Sequence, residues 1–430
     1  MPRYLIVFCL VVLFSLGAMS AEAAEQIRVG VVNGQRSVVV QSDKDYELLD
    51  VNSGQVIQTL VANTRYLFVA EGNSLKLDSK TLPSKRVLVV GKEENSSVNI
   101  NRNVYRGKVQ INLQANGSSL NAINVLPVEE YLYGTLANYL EPLWPDNAAK
   151  AQAIVFRTIA QYMINNPVST EYDVPAVYWL FYDGRKNERD DVIAVVNATK
   201  GQVIVSGGRA IRALFHSSSG GRTEEVTGVN YLQSTEDYDQ DSPNYKWEKL
   251  FVAKDVDVAL KYAGYDSIGR LQGFEFSPLD LNRNFPDRGK SGRLKEVKVL
   301  GDRGFAVIPG EKFIKILNLP SSAFDLAVAN LLPQFIELPI TDRFGNVIGV
   351  KKVEVNLSGT GDNVPFPADR AFTLRVAWAE NEKIVIKGRG EGSGIGFSQW
   401  GARGMALDKG ANVEAILQHY YPNTAISTIY

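Results

Sequence analysis

Leu126-Pro127-Val128-Glu129-Glu130-Tyr131-Leu132-Tyr133-Gly134 is the stretch at which the chain changes texture. Pro127 suits a first helical turn and Gly134 is the residue type that ends one, so a short helix is expected between them. Upstream the pattern is different. From Ile27 to about Val98, short apolar stretches such as Ile27-Arg28-Val29-Gly30-Val31-Val32 and Arg36-Ser37-Val38-Val39-Val40 are broken by Asn33-Gly34, Asn52-Ser53-Gly54 and Glu71-Gly72-Asn73. Strand and turn chemistry at such close intervals predicts a β-rich N-terminal lobe over residues 25–98, with more strands at 109–113 and 122–126.

Downstream a stronger helix is expected after Trp144-Pro145-Asp146, stopped by Asn165-Asn166-Pro167. Ala151, Val155, Thr158 and Tyr162 recur at three- and four-residue steps and give it one face to bury. Strands are expected at 201–206 and 213–216, then the turn Ser217-Ser218-Ser219-Gly220-Gly221. Residues 246–340 mix strands and short helices and read as an inserted or third lobe. A strand at 383–387 enters Gly388-Arg389-Gly390-Glu391-Gly392-Ser393-Gly394-Ile395-Gly396, and helices follow at 398–407 and 413–420. Strands and helices without regular βαβ alternation point to an α+β fold.

Composition narrows the function. Met1-Pro2-Arg3 precedes an apolar run of 13 residues, Tyr4 to Leu16, and then Ala21 to Ala24. A membrane span needs roughly 20 apolar residues. The pattern instead predicts a signal peptide at 1–24, hence export to the periplasm, the cell envelope or the medium, with no membrane attachment after cleavage. Cys9, the one cysteine, would leave with it. With no thiol and only His216 and His419, neither a built-in metal nor a cofactor is expected. A net charge of −1 argues against nucleic acid as the ligand. The length exceeds the roughly 250–300 residues at which one core stops growing, so two or more lobes are expected.

The glycine run tempts towards a dinucleotide site, but its glycines fall at every second position and no G-x-G-x-x-G can be placed. Alternating glycines let a backbone lie closely against a neighbour or an extended ligand. A packed internal loop and a binding wall both remain open. His216 and Ser217 are adjacent on a strand and so point to opposite faces, and no G-x-S-x-G elbow is present, which favours an orienting histidine over a serine triad.

Several ordered motifs carry a resemblance. The opening stretch, Trp144-Pro145, Ala149-Lys150-Ala151-Gln152-Ala153 and Arg157-Thr158 resemble the signature of the sporulation stage II protein D family, also called amidase-enhancer proteins. Tyr105-Arg106-Gly107, Phe215-His216-Ser217-Ser218-Ser219-Gly220-Gly221, Tyr231-Leu232, the glycine run, Ser398-Gln399-Trp400-Gly401-Ala402 and His419-Tyr420-Tyr421-Pro422 are similar to further family motifs, in the right order. The resemblance implies that residues 99–430 form a mixed α+β core of two lobes around a cleft. It also implies a peptidoglycan-directed protein, with glycan strands and a cell-wall amidase as partners.

Catalytic members of that family are lytic transglycosylases of peptide-free strands. One carboxylic acid protonates the glycosidic oxygen, and the carboxylate then takes the proton of the sugar's own 6-hydroxyl. The resemblance places that acid five positions after Gly134, where this chain has Tyr139. Glu141 is nearby, but two residues on a helix turn by about 200° and would point it to the opposite face. Ser393 stands where members usually have histidine, and the segment 173–182 lacks the cysteines and histidine of metal-binding members. Two readings follow. One is a glycan-binding protein with altered or lost catalysis that modulates an amidase. The other is a transglycosylase with Glu141 as displaced acid and base. In either, the resemblance implies a cleft shaped by Tyr139, Trp144, Lys150, Gln152, Arg157, His216, Ser218, Ser393 and Gln399.

Overall fold

The computed structural model describes residues 25–93, 96–329, 335–341, 347–354, 372–375 and 383–430. The expected signal peptide and Cys9 lie outside these residues. Alternation sets the first sheet. Val87 and Val89, Val109 and Ile111, and Ile27 and Val29 turn one face of their strands inward and are buried. The seven strands run in the order Val174–Pro175, Gln26–Gln35, Leu120–Pro127, Lys108–Leu113, Arg86–Gly91, Tyr46–Asp50, Val56–Leu60. A second sheet orders Asn103–Arg106, Ser97–Ile100, Ser37–Ser42, Tyr66–Glu71, Ser74–Leu77 and Lys80–Thr81. Residues of both sheets share one core, as in two stacked sheets. Strands on both sides of residue 98 pair within these sheets.

Leu120–Pro127 runs straight into α1 (Val128–Leu136), with Pro127 at φ −56° as its N-cap. Gly134 does not end this helix, contrary to expectation. A Cβ there would overlap the carbonyl oxygen of Gly184, so its smallness lets α1 and that loop touch. The next helix, α2 (Asp146–Asn165), begins after Pro145 as expected. It is buried over almost its whole circumference rather than along one face, enclosed by α1, α3 (Asp190–Ala198), α6 (Gln399–Asp408), α7 (Val413–Tyr420) and the strand Gln202–Ser206. Ala148, Ala149, Ala151, Ala153 and Ala160 keep it thin enough for that enclosure.

A second hydrophobic core gathers Ala253, Leu271, Phe274, Val297, Phe313 and Phe324 with Ile384 and Ile386. It is built on α4 (Ala253–Tyr262), α5 (Gly310–Leu317) and two antiparallel sheets. This core occupies the region expected to be an added lobe, and reaches beyond residue 340 to Lys383–Gly388. The whole is an α+β fold with a β-rich N-terminal part. No helix of the described residues is long and apolar enough to cross a membrane.

Candidate functional site

Helix α1 ends at Leu136, so Tyr139 and Glu141 lie in the turn and loop beyond it. The helical phase expected to separate them does not apply there. Tyr139 is half-buried, with its ring edge-on to Phe156 at 5.1 Å and to Phe215 at 5.6 Å. Its hydroxyl accepts a hydrogen bond from the Phe181 backbone N–H at 3.0 Å, and its carbonyl accepts one from Gln399 Nε2 at 3.3 Å. Burial pushes the phenol above its ordinary value. Glu141 is exposed and makes no hydrogen bond or ion pair among the described residues, including to His216 or Gln399. Leu143, at φ 64°, projects fully into solvent beside Trp144, which packs edge-on against Trp400 at 5.6 Å. Gln152 lies one turn before Phe156 on the same side of α2. It is fully buried, and neither of its amide atoms has a hydrogen-bond partner among the described residues.

The second cluster forms where the strand Phe215–His216 runs parallel to Phe397–Ser398. His216 Nδ1 is 3.1 Å from the Ile395 carbonyl oxygen, which can only accept, so Nδ1 carries the proton and Nε2 is an acceptor with no partner among the described residues. Ser218 donates to Asp239 at 2.5 Å, as does the Gly220 N–H at 2.7 Å. Burial, with Asp237 adding repulsion, raises the Asp239 carboxyl above its usual range. Asp237 in turn accepts from the Tyr420 hydroxyl at 2.7 Å. These two aspartates were missed in the sequence. Their signal was the i, i+2 spacing in an extended segment, which sends both side chains to one face.

Burial, aided by the Arg293 guanidinium, pushes His216 down from 6.5 to about 3. The folded value is depressed, so its contribution to stability is complete above the unfolded value of about 6.5 and is lost as pH falls towards about 3. Asp239 acts with the opposite sign, because its folded value is raised. Urea unfolding at pH 7 and pH 5 is expected to show a smaller loss of stability on acidification in His216→Gln than in the parent protein.

The glycine run resolves as a packed loop. Gly390, Gly392, Gly394 and Gly396 have φ of 71°, 88°, 77° and 73°, the left-handed region that side chains rarely adopt. A Cβ on Gly390 would overlap Ser219, one on Gly394 the Arg293 guanidinium, and one on Gly396 the Leu214 carbonyl. Ser393 is exposed and lines a cavity of about 500 Å³ with Glu224, Arg293 and Lys315.

Two expected sugar contacts need correction. Arg157 is fully buried and spends all five N–H groups on Glu129, Thr199 Oγ1 and the carbonyls of Val196 and Gln202, leaving none for a ligand. Ser218 is buried with its hydroxyl committed to Asp239. Lys150 pairs with Asp146 at 2.6 Å, one turn away on α2. The structure thus joins Tyr139 and Gln399, sets Trp144 on Trp400, and holds His216 in a separate buried network.

No metal donor set forms in the segment 173–182. It has neither cysteine nor histidine, and the Asp173 carboxylate is taken by Arg28 at 2.6 Å. Among the described residues, no group of three or more His, Cys, Asp or Glu side chains could hold a metal ion.

Residues 116–205 match the family described as "Stage II sporulation protein". An uncharacterized protein of Brachyspira hyodysenteriae is 24% identical over 310 residues, covering 70% of this chain and 66% of that one. Stage II sporulation protein D of Bacillus subtilis is 23% identical, covering 71% of this chain and 76% of its own. The amidase enhancer of the same organism is 24% identical over 86% of this chain, which spans 52% of that protein's length. The matched span holds Gly134, Tyr139 and all of α2, and these likenesses support a divergent member of the stage II sporulation protein D and amidase-enhancer family.

Proposed function

We propose that this is an exported envelope protein that grips peptidoglycan glycan strands at the Tyr139 surface and modulates a cell-wall amidase, without cleaving the strands itself. One observation carries the reading. Where catalytic relatives are expected to place their carboxyl, a tyrosine is fixed between Phe156 and Phe215, with its hydroxyl already accepting from Phe181. A buried phenol above its ordinary value is a poor base for the second proton transfer. The amidase follows from the name of one relative, and export from the apolar run and the alanines at 21–24.

Tyr139 and Trp144 supply rings, and Gln399 supplies an amide, the mixture that suits a sugar with apolar and hydroxylated sides. Purified protein is expected to co-sediment with peptide-free strands and to release no 1,6-anhydro ends detectable by mass spectrometry. Trp144→Ala should weaken sedimentation about five- to tenfold. Anhydro products that disappear in Glu141→Gln would overturn the reading in favour of a displaced catalytic acid.

A further inference from the structure

Beside the Tyr139 site, the segment 177–181 folds back on itself through a bridge between Val177 and Phe181. Leu180 is buried and pins the hairpin, while Tyr178 is about half exposed (53%). The Trp179 ring is nearly parallel to Tyr178 (6°) and to Tyr162 on α2 (16°), with centroids 5.8 Å apart in each case. The Arg212 guanidinium lies over Trp179 at 4.9 Å. Arg212 is exposed, and among the described residues it has neither an ion pair nor a hydrogen bond.

We propose that Tyr178, Trp179 and Arg212 form a second glycan subsite, continuous with the Tyr139 surface, that takes a hexosamine ring bearing a free carboxylate. The inference rests on the glycan reading above and extends it. Continuity comes from Phe181, an exposed residue that closes the 177–181 hairpin and whose N–H donates to the Tyr139 hydroxyl at 3.0 Å. The chemistry comes from the pairing of groups. The exposed Tyr178 ring, backed by Trp179, can receive the C–H face of a sugar, and a cation above a ring, with no anion of its own among the described residues, awaits one. In a peptidoglycan strand that anion is the lactyl carboxylate of a muramic acid without its peptide. A membrane surface fits less well, because it calls for several cations rather than one.

The test measures binding of the mature protein and its Trp179→Ala and Arg212→Gln variants to three probes. These are peptide-free glycan strands, chitin oligomers that lack the lactyl carboxylate, and vesicles containing phosphatidylglycerol. Trp179→Ala should bind strands roughly tenfold more weakly. Arg212→Gln should lose about fivefold on strands and nothing on chitin oligomers. Arg212 is exposed, so this variant answers even if Trp179→Ala folds poorly. Should both variants bind strands as the parent does while Trp144→Ala weakens them, the subsite is wrong and the Tyr139 reading stands. A parent protein that binds no strand removes both. Vesicle binding that depends on Trp179 would replace the subsite with a membrane contact.

Discussion

Glu129→Ala is expected to lower the unfolding free energy by about 3–5 kcal/mol, because it leaves the Arg157 guanidinium buried without its counter-charge. Glu129 accepts from Arg157 Nε at 2.9 Å and Nη2 at 2.6 Å, from the Gly201 N–H at 3.1 Å and from the Tyr430 hydroxyl at 2.8 Å. Removing it therefore strands one charge and two neutral donors at once. The pair joins α1 to α2, and the remaining Arg157 bonds reach the end of α3 and the strand after it. Glu129→Gln keeps an acceptor and should cost less. The double variant Glu129→Leu with Arg157→Met, which removes both charges, should cost less than the sum of its two single changes. Urea midpoints at constant m-value measure all of these. A Glu129→Ala variant within about 1 kcal/mol of the parent would contradict a buried pair whose rupture is costly.

The glycine run gives the other large effect. Gly396→Ala is expected to cost about 2–5 kcal/mol, the sum of about 1–2 for a left-handed alanine and about 1–3 for overpacking. Its φ is 73°, and a Cβ would press on the Leu214 carbonyl beside Tyr421. Gly208, at φ 76° with nothing within 4 Å of a built Cβ, is the control. Gly208→Ala should show the conformational part alone, about 1–2 kcal/mol. Equal losses at the two positions would mean that packing around Gly396 contributes nothing.

Local pattern reached some of this molecule and not the rest. The start of α2 was legible because Trp144-Pro145-Asp146 restricts the backbone locally, and its end because Asn165-Asn166-Pro167 does. The turns at Gly54 and Gly72 were legible for the same reason, since φ of 70° and 59° is a single-residue matter, whereas Gly34 lies inside the strand Gln26–Gln35. The α+β class followed from these elements in order, and the resemblance to the family from several motifs in one sequence. The tyrosine at 139, where the resemblance implies an acid, was visible in the sequence through that resemblance.

Only the tertiary structure decided what the side chains do. Arg157 reads as a sugar contact in sequence, but Glu129, 28 residues away, takes its charge. His216 depends on Ile395, 179 residues distant, and Ser218 on Asp239. Gly134 reads as a stop signal, yet the chain that lies against it is Gly184. The glycine run could have faced a ligand or the protein's own backbone, and its φ values alone do not choose between them. The neighbours at Ser219, Arg293 and Leu214 do. Backbone conformation is set by residues adjacent in sequence, so sequence gives turns, helix ends and fold class. The partner of a charge, an amide or a close-packed glycine is set by which distant segments the core brings together, and that information exists only once the chain has folded.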